Sequence, residues 1–342
     1  MKRVFAVVAA LAAVIGLTAC GEKTEQTTSS VPTRTITLML DYLPNADHVG
    51  LYEAIAAGDF AKAGIDVKVE TPSDPAEPLK LLEAGKVDMV ISYEPEVLLA
   101  RDKGAQVVSV GAIAQTPLTA LMSTNRRKIK TAADLRGTNV GTAGIPYQSA
   151  YLRTILAHEH VPADSVKETN VGFNLVPAML SRRVDATIGA FWNVEGVQLR
   201  EQRKNPRIIR METVGVPTYN ELVLASRKNY VGPQGDLVRA FVQAVGRGYE
   251  AARADPQAAT DALVRANPDL DPRLTLASVK ASLPVFFPRS ASKPFGWQEP
   301  GEWTRYGDWM FDQGLLDARP DAGAAAITNE FLAGQSGVGS NN

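Results

Sequence analysis

Polar and apolar residues alternate at the start of the first predicted element and then give way to an apolar run. Residues 35–40 (TITLML) therefore predict a strand that enters a sheet. Residues 49–63 carry apolar side chains at helical spacing and are followed by Gly64, which predicts a helix with a glycine stop. Further strands are predicted over 65–70 and 87–91, with a helix over 79–84 between them. Strands that alternate with helices predict βαβ units and a mostly parallel sheet.

The same pattern recurs further along the chain. Residues 79–96 read LKLLEAGKVDMVISYEPE, and residues 177–195 read PAMLSRRVDATIGAFWNVE. In both segments a helix leads through a basic residue and Val-Asp to a strand, which ends in aromatic and acidic residues. Open α/β sheets bind their ligands at the carboxyl ends of their strands. The repeat therefore predicts two lobes of similar construction, each with aromatic and acidic groups at a strand end.

The C-terminal third has a different pattern. Residues 236–266 predict helices with a break before Pro256. Residues 301–316 carry an apolar stripe near helical spacing, which is typical of core packing. Residues 334–342 are predicted to be a disordered tail.

The N-terminus is predicted to be an export signal. Residues 1–3 are basic, and residues 4–17 are apolar over a length that suits a signal peptide better than a membrane span. The sequence Leu-Thr-Ala-Cys that ends at Cys20 resembles the lipobox of bacterial lipoproteins, in which the cysteine is lipidated; a plain secretory signal with a chance cysteine is the alternative. Residues 1–20 are therefore predicted to be a lipoprotein signal peptide, and residues 21–34 a flexible tether. The body would then lie outside the cytoplasm, anchored to the membrane surface.

Composition narrows the possible functions. The formal net charge of −1, which becomes −3 without Lys2 and Arg3, gives no electrostatic basis for nucleic-acid binding. Cys20 is the single cysteine, so disulfides, cysteine-based metal sites and cysteine catalysis are not expected. His158 and His160 stand two apart on a predicted helix, where their side chains diverge, so no metal site is predicted there. The G-x-S-x-G motif of hydrolases does not occur.

Several motifs together resemble one family. They are DYLPNADH (41–48), SYEP (92–95), ADLRGTNVG (133–141), FWNVEG (191–196) and PTYNELVLAS (217–226). In this order they resemble the periplasmic substrate-binding proteins of ABC importers, and among these the binders of thiamine pyrimidine precursors. The similarity covers residues 35–316. The resemblance implies an α/β, two-lobed periplasmic binding protein of type II, with two hinge crossings and a ligand cleft between the lobes.

The resemblance also implies how the chain is organised. With crossings expected near residues 121–122 and 222–224, residues 35–121 form lobe 1, residues 122–223 form lobe 2, and residues 224–333 return to lobe 1. The lobes would close over the ligand by hinge bending. The protein is expected to be a monomer without a cofactor and to deliver its ligand to an ABC permease with its ATPase.

Recognition of a flat aminopyrimidine needs two apolar faces and hydrogen bonds in the plane of the ring. Aromatic side chains supply the faces, and a carboxylate accepts a charge-assisted bond from the exocyclic amine. In the second lobe Phe191 or Trp192 is predicted to cover the ring, Asn193 to bind its edge, and Glu195 to bind the amine. Asp41 is an alternative acceptor.

The other predicted contacts come from three further places in the chain. They are Tyr42, Asn45, His48, Tyr93 and Glu94 in the facing lobe, Gly144 and Tyr147 in a loop that feeds a helix N-terminus, and Tyr219, Asn220 and Glu221 before the return crossing. For each aromatic residue the alternative is packing in the core or between the lobes. For Glu195 and Glu221 it is a helix-start charge or a surface ion pair, and for the loop an ordinary turn.

Other ligands and an enzyme are the alternative functions. Riboflavin-like heteroaromatics, sulfonates and nitrate are the alternative ligands. A site for an anion is expected to contain an arginine or a bare helix N-terminus. The acidic residues near the predicted cleft instead favour a ligand with N–H donors; they are Asp41, Glu94, Glu195 and Glu221. Eukaryotic pyrimidine synthases of the same fold family carry a histidine where His48 stands and consume it, but they also carry a cysteine-rich, iron-associated motif that is missing here. We therefore predict a binding protein and not an enzyme.

Overall fold

A computed structural model describes residues 33–124 and 129–335 of the 342-residue chain. The predicted signal peptide with its lipidation site at Cys20, the tether up to residue 32 and the tail from residue 336 lie outside the described residues. The described residues belong to one compact unit that contains two β-sheets. No helix in this part of the chain is long and apolar enough to cross a membrane.

The first sheet is built mainly from the N-terminal part of the chain. Its strands are β1 (Arg34–Met39), β2 (Ile65–Glu70), β3 (Met89–Ser92), β4 (Val107–Ala114) and β10 (Leu222–Arg227), in the order β2-β1-β3-β10-β4. β1 pairs parallel with β2 and β3, as the alternation of strands and helices predicts, because a helix returns the chain between successive strands. β10 lies antiparallel between β3 and β4.

The second sheet repeats this construction. Its strands are β5 (Thr119–Thr124), β6 (Asn139–Thr142), β7 (Lys167–Asn170), β8 (Ala186–Phe191) and β9 (Pro206–Arg210), in the order β7-β6-β8-β5-β9. β6 pairs parallel with β7 and β8, and β5 lies antiparallel between β8 and β9. β3 and β8, the strands of the two recurring segments, hold equivalent central positions. The predicted α/β, two-lobed fold is confirmed.

The helices cover the two sheets. Those of the first half are α1 (Val49–Ala56), α2 (Asp59–Lys62), α3 (Pro78–Glu83), α4 (Glu94–Asp102), α5 (Pro146–His158), α6 (Leu175–Leu180) and α7 (Glu195–Glu201). The C-terminal part adds α8 (Lys228–Val231), α9 (Gly235–Ala254), α10 (Pro256–Ala266), α11 (Pro272–Phe286) and α12 (Pro300–Asp312). We call the first sheet with α1–α4 and α8–α12 the first lobe, and the second sheet with α5–α7 the second lobe.

The C-terminal helices pack on the first lobe. α1 and α9 approach closely at Gly50 and Gly248. The approach leaves no room for a side chain, since a Cβ atom at Gly248 would lie only 1.9 Å from the carbonyl oxygen of Gly50. Trp303 and Tyr306 of α12 are completely buried, which confirms that the apolar stripe of this helix belongs to the core. The predicted break before Pro256 separates α9 from α10.

The chain passes from one sheet to the other twice. The first crossing joins Ala114 at the end of β4 to Thr119 at the start of β5, and Pro117 within it is the local turn signal. The second crossing follows β9 and a short 3₁₀ helix and reaches β10 at Leu222. Residues 121–122 lie inside β5 and residues 222–224 inside β10. Each change of sheet therefore comes just before the position expected from the sequence.

Candidate ligand-binding site

A narrow cavity lies between the lobes, at the carboxyl ends of β1, β3 and β8. The loops that follow parallel strands meet at this edge of each sheet, and here the two edges face each other. The cavity is lined by Asp41, Tyr42, Asn45, Tyr93, Ile145, Gln148, Gly189, Phe191, Val194 and Glu195. The structure thus brings together the predicted residues Asp41, Tyr42, Asn45, Tyr93, Phe191 and Glu195.

Asp41 follows β1, and hydrogen bonds hold both of its carboxylate oxygens. The Tyr93 hydroxyl donates to Oδ2 over 2.9 Å, and Nε2 of His48 lies 2.8 Å from Oδ1. The other ring nitrogen of His48, Nδ1, accepts from the backbone N–H of Asn45 at 3.2 Å. Because Nδ1 accepts, the ring proton is on Nε2 and His48 donates to Asp41. These bonds fix Asp41 as an acceptor in the cavity wall.

His48 itself lies behind Asp41 and does not line the cavity. Its side chain is completely buried, and both ring nitrogens are engaged inside the first lobe. Asn45 stabilises this arrangement, since its Oδ1 atom accepts from the N–H of Asp47 at 2.8 Å and caps the short 3₁₀ helix that carries His48. The structure therefore places His48 as a support for Asp41.

Tyr42 supplies an aromatic wall from the first lobe. Its ring packs edge-on against Phe173 of the second lobe, with the ring centroids 4.7 Å apart. Its hydroxyl oxygen is buried and has no hydrogen-bond partner among the described residues. Burial, and then the charges of Glu195 and Asp41, raise the pKa of Tyr42. The hydroxyl therefore stays neutral and is free to bond to a ligand.

Glu195 begins α7 and faces the cavity from the second lobe. Its Oε2 atom accepts from the backbone N–H of Phe191 at 2.7 Å, so it also satisfies a backbone group at the helix start. Burial raises the pKa of Glu195 to about 7; the Phe191 N–H acts in the opposite direction, and the charge of Asp41 adds to the increase. A ligand that donates N–H groups to this carboxyl would favour its charged form.

Gln148 is a cavity residue that the sequence did not single out. It lies in the first turn of α5, is buried, and accepts through Oε1 from the N–H of Ala143 at 2.8 Å. Gly189 makes room for it, since a Cβ atom there would lie 2.2 Å from Nε2 of Gln148. Its position could have suggested a ligand contact, because Gln148 stands two residues after Pro146, next to the predicted contacts Gly144 and Tyr147. Ile145, Gly189 and Val194 were missed as well, because nothing in their chemistry marks them.

Asn193 and Trp192 do not line the cavity. Asn193 is buried, and its Nδ2 atom donates to Oδ1 of Asp47 at 2.6 Å and to Oγ of Ser282 at 2.7 Å. The indole N–H of Trp192 donates to the carbonyl of Pro117 at 3.1 Å. Asn193 therefore joins the two lobes, and Trp192 packs against the first crossing.

Glu221, Tyr219 and Tyr147 lie together at the crossings, outside the cavity wall. The carboxylate of Glu221 accepts from the backbone N–H groups of Leu118 and Thr119 at 2.7 and 2.8 Å. It also accepts from the hydroxyls of Tyr219 and Tyr147 at 2.8 and 3.2 Å. Because Glu221 precedes β10 and the two N–H groups lie at the end of the first crossing and at the start of β5, this carboxylate ties the two crossings together.

Glu94, Asn220 and Gly144 also have structural partners and lie outside the cavity wall. Oε2 of Glu94 accepts from the N–H of Asn220 at 2.6 Å, and burial raises the pKa of this carboxyl well above its usual range. Oδ1 of Asn220 accepts from the indole N–H of Trp303 at 2.8 Å. Gly144 has a φ of 84°, and a Cβ atom there would lie 2.4 Å from Nδ2 of Asn170. These residues shape the surroundings of the site.

The cavity wall is rich in acceptors. Asp41 and Glu195 provide two carboxyl groups, and no lysine or arginine is among the described residues that line the cavity. Within residues 33–124 and 129–335, no group of three or more His, Cys, Asp or Glu side chains is placed to hold a metal ion. The arrangement suits a flat molecule that carries N–H donors.

Known proteins resemble this chain over most of its length. Residues 45–259 match the family model described as NMT1/THI5 like. The formylaminopyrimidine-binding protein of Halalkalibacterium halodurans is 32% identical over 308 residues, which cover 90% of this chain and 93% of that protein. A putative thiamine biosynthesis protein of Haemophilus influenzae is 34% identical over 260 residues, with 76% and 81% covered. The solved alkanesulfonate-binding protein of Xanthomonas axonopodis pv. citri, bound to MOPS, has a TM-score of 0.68 at 16% identity, with 87% of this chain and 99% of that chain covered. This last likeness concerns the fold.

Proposed function

The chain belongs to the NMT1/THI5-like family, and we propose that it is the solute-binding protein of an ABC importer, which captures a 4-aminopyrimidine precursor of thiamine between its lobes. Formylaminopyrimidine, the ligand in the name of a relative at 32% identity, is the first candidate, and hydroxymethylpyrimidine is the second. One observation carries the proposal: Asp41 from one lobe and Glu195 from the other face a single narrow cavity with aromatic walls.

The cavity residues match the groups of an aminopyrimidine. The ring would lie against Tyr42 and Phe191, and aromatic contacts of this kind contribute about 0.5–1.5 kcal/mol each beyond the burial of area. The exocyclic amine would donate to Glu195. Asp41 would accept a second N–H, and the Tyr42 hydroxyl would gain the partner that it lacks. Bonds to charged groups contribute about 1.5–3 kcal/mol each, so the two carboxyl groups would set the specificity.

An anionic ligand is disfavoured by the same residues. Sulfonate and nitrate carry acceptors only, and their charge would face Asp41 and Glu195 without a cation in the cavity wall. The likeness to an alkanesulfonate-binding structure at 16% identity therefore supports the fold and not the ligand.

The position of His48 supports a binding protein over a pyrimidine synthase. A histidine that is consumed in a reaction has to be accessible to its reaction partner. His48 is completely buried, and both of its ring nitrogens are bonded within the first lobe. If the protein were a synthase, incubation with pyridoxal phosphate and iron would change the mass of the peptide that contains His48; we expect no change.

Export and delivery complete the proposal. A signal peptide over residues 1–20, lipidation at Cys20 and a tether over 21–34 would hold the body at the outer face of the cytoplasmic membrane, as a monomer beside its permease and ATPase. The two lobes, joined by the crossings at 115–118 and 214–221, would close over the ligand by hinge bending.

Isothermal titration of the purified protein tests the ligand. Formylaminopyrimidine, hydroxymethylpyrimidine, thiamine, riboflavin and taurine are compared under one buffer condition. We expect saturable one-to-one binding of a pyrimidine and none of taurine. Binding of riboflavin or taurine without binding of a pyrimidine would contradict the proposed ligand and leave the binding-protein fold in place.

The substitution Glu195→Gln tests the role of the carboxyl group. It removes the charge but keeps the shape of the side chain, so the affinity for the pyrimidine is expected to fall about 10- to 100-fold. Glu250→Gln on the exposed surface of α9 is the matched control and should leave the affinity unchanged. An unchanged affinity in Glu195→Gln would refute this assignment of the amine acceptor.

A further inference from the structure

Asn193 of the second lobe is held by two residues of the first lobe. Its Nδ2 atom donates to Oδ1 of Asp47 at 2.6 Å and to Oγ of Ser282 at 2.7 Å. All three side chains are buried, with no more than 1% of any residue exposed. Because Asn193 follows β8 whereas Asp47 and Ser282 belong to the first lobe, both bonds span the two lobes and break when the lobes separate.

The same group contains two polar atoms that lack partners. Oδ2 of Asp47 and Oδ1 of Asn193 are buried and have no hydrogen-bond partner among the described residues. Buried acceptors without a donor destabilise the arrangement that contains them. A proton on Asp47 would convert its carboxylate into a carboxyl group, and the new O–H is the kind of donor that Oδ1 of Asn193 lacks.

We propose that Asn193, Asp47 and Ser282 form a clasp that holds the lobes closed, and that Asp47 takes up a proton when the clasp forms. A carboxyl group and an amide can pair through two reciprocal hydrogen bonds, whereas an ionised carboxylate can only accept. In the open protein water solvates Asp47, which then loses its proton at neutral pH. Closure is thereby coupled to pH, whatever the identity of the ligand.

The carboxyl groups near Asp47 act in the same direction. Burial is the largest cause that raises the pKa of Asp47 to about 8, and the charges of Asp41 and Glu195 add to it; the neighbouring Ser282 hydroxyl and the bond from Asn193 oppose it. Glu195 belongs to the second lobe, so closure itself brings its charge toward Asp47. If Asp47 stayed ionised and no ligand supplied hydrogen-bond donors, the closed cleft would bring together the negative charges of Asp41, Asp47 and Glu195.

The helices packed around Asp47 supply no compensating contact. Tyr249 of α9 donates its hydroxyl to the carbonyl oxygen of Asp47 at 2.5 Å, and its phenol is neutral because burial raises its pKa. His48 is engaged with Asp41. Apart from Glu195, the charged side chains on the other neighbouring helices lie at the surface or partly so: Glu53 of α1, Arg200 and Glu201 of α7, Asp261 and Arg265 of α10, and Arg273 and Lys280 of α11.

The distance between the lobes in the ligand-free protein tests the clasp. Lys68 on β2 and Lys167 on β7 are exposed on edge strands of the two lobes. In full-length protein with Cys20→Ser, the substitutions Lys68→Cys and Lys167→Cys place one spin label on each lobe. Pulsed EPR then gives the populations of closed and open distances at pH 5.5, 7 and 8.5.

Each variant has its own expected result. In the parent protein the ratio of closed to open molecules is expected to fall by up to about tenfold per pH unit as the pH rises toward about 8. Asp47→Asn places an N–H donor where the proton would be, so its lobes should open much less than those of the parent as the pH rises. Asn193→Ala should be open at every pH. Ser282→Ala, which removes one of the two acceptors and leaves Asn193 in place, should be partly open.

Other results would contradict the proposed clasp or its uptake of a proton. A parent protein with pH-independent distances, or an Asp47→Asn variant that opens with rising pH as the parent does, would overturn the proton uptake. Closed lobes in both Asn193→Ala and Ser282→Ala would overturn the clasp. The experiment uses no ligand, so failure of the proposed pyrimidine binding would leave its result unaffected.

Discussion

The Nε2 atom of His48 lies 2.8 Å from Oδ1 of Asp41, although His48 has no surface in the cavity. Its other ring nitrogen is fixed by the backbone N–H of Asn45, so the imidazole can only donate to the carboxylate. A residue that does not line the cavity thus sets the orientation of one that does. The loop after β1 holds the carboxylate of Asp41 in a fixed position. A ligand that bound there would therefore lose less free energy to the ordering of this side chain.

His48→Gln is expected to weaken pyrimidine binding about tenfold. The amide cannot bridge Asn45 and Asp41 with the geometry of the ring, so Asp41 gains freedom that the ligand must remove. Isothermal titration measures the effect. His158→Gln is the control, since its side chain is largely exposed at the end of α5, and it should bind as the parent does. Equal affinities in all three proteins would show that Asp41 needs no support.

Gly189→Ala is expected to damage both stability and binding. Gly189 has a φ of 103°, and a Cβ atom there would lie 2.2 Å from Nε2 of Gln148. Gly58→Ala separates the two effects, because Gly58 also has a positive φ of 71° but has nothing within 4 Å of the added atom. The control should lose about 1–2 kcal/mol of unfolding free energy from backbone strain alone. Gly189→Ala should lose more and bind the pyrimidine more weakly; an affinity equal to that of Gly58→Ala would exclude a role for Gln148.

The free energy of unfolding is expected to fall as the pH rises from about 4 to about 8. Burial raises the pKa of Asp47 to about 8 and those of Glu195 and Glu96 to about 7 in the folded protein. The folded state therefore binds protons that the unfolded state has released, so each group stabilises the fold fully below its unfolded pKa and loses this effect through its folded pKa. Each contributes a slope of up to about 1.4 kcal/mol per pH unit.

Urea denaturation at pH 5, 6, 7 and 8 measures this dependence. Between pH 7 and 8 the two glutamates pass from half to almost complete ionisation, so Asp47 is expected to make the largest single contribution to the slope. Asp47→Asn should therefore be flatter than the parent over the whole range from pH 5 to 8, and the difference should stand out most between pH 7 and 8, where the glutamates contribute least. Parallel curves for the two proteins between pH 7 and 8 would mean that Asp47 has no raised pKa.

The strand ends in the sequence predicted the region where the cavity lies, but they could not orient neighbouring side chains. Tyr93 lines the cavity while Glu94 turns toward Asn220, and Phe191 lines it while Trp192 turns toward Pro117. Where a strand ends, successive side chains point to different sides, so a shift of one residue exchanges a position in the cavity wall for a packing contact. Composition and spacing carry no information about this register.

The long-range partners were also beyond the reach of the sequence. Glu221 stands next to Tyr219 and Asn220, which made it look like part of a ligand-binding motif. Its carboxylate instead meets backbone N–H groups about a hundred residues earlier in the chain, at Leu118 and Thr119. The repeated βαβ pattern, by contrast, is local, and it was sufficient to predict the two lobes.

Glu221→Gln is expected to destabilise the protein by about 1–3 kcal/mol. The carboxylate accepts from the N–H groups of Leu118 and Thr119 and from the hydroxyls of Tyr147 and Tyr219, whereas an amide has only one oxygen for them. The hydroxyls can rotate to accept, but the backbone N–H groups cannot, so one orientation of the amide is imposed. The free energy of unfolding in urea measures the loss.

Two further variants make this result specific to the hinge. Glu221→Ala leaves the N–H groups of Leu118 and Thr119 without their acceptor and should cost more than Glu221→Gln, because removing one partner of a buried charged network costs about 3–5 kcal/mol. Glu250→Gln, with its carboxylate half-exposed, should stay within about 0.5 kcal/mol of the parent. If all three variants unfolded alike, the link between the crossings would contribute nothing to stability, and Glu221 would have to be reconsidered as a ligand contact by measuring pyrimidine affinity in the same proteins.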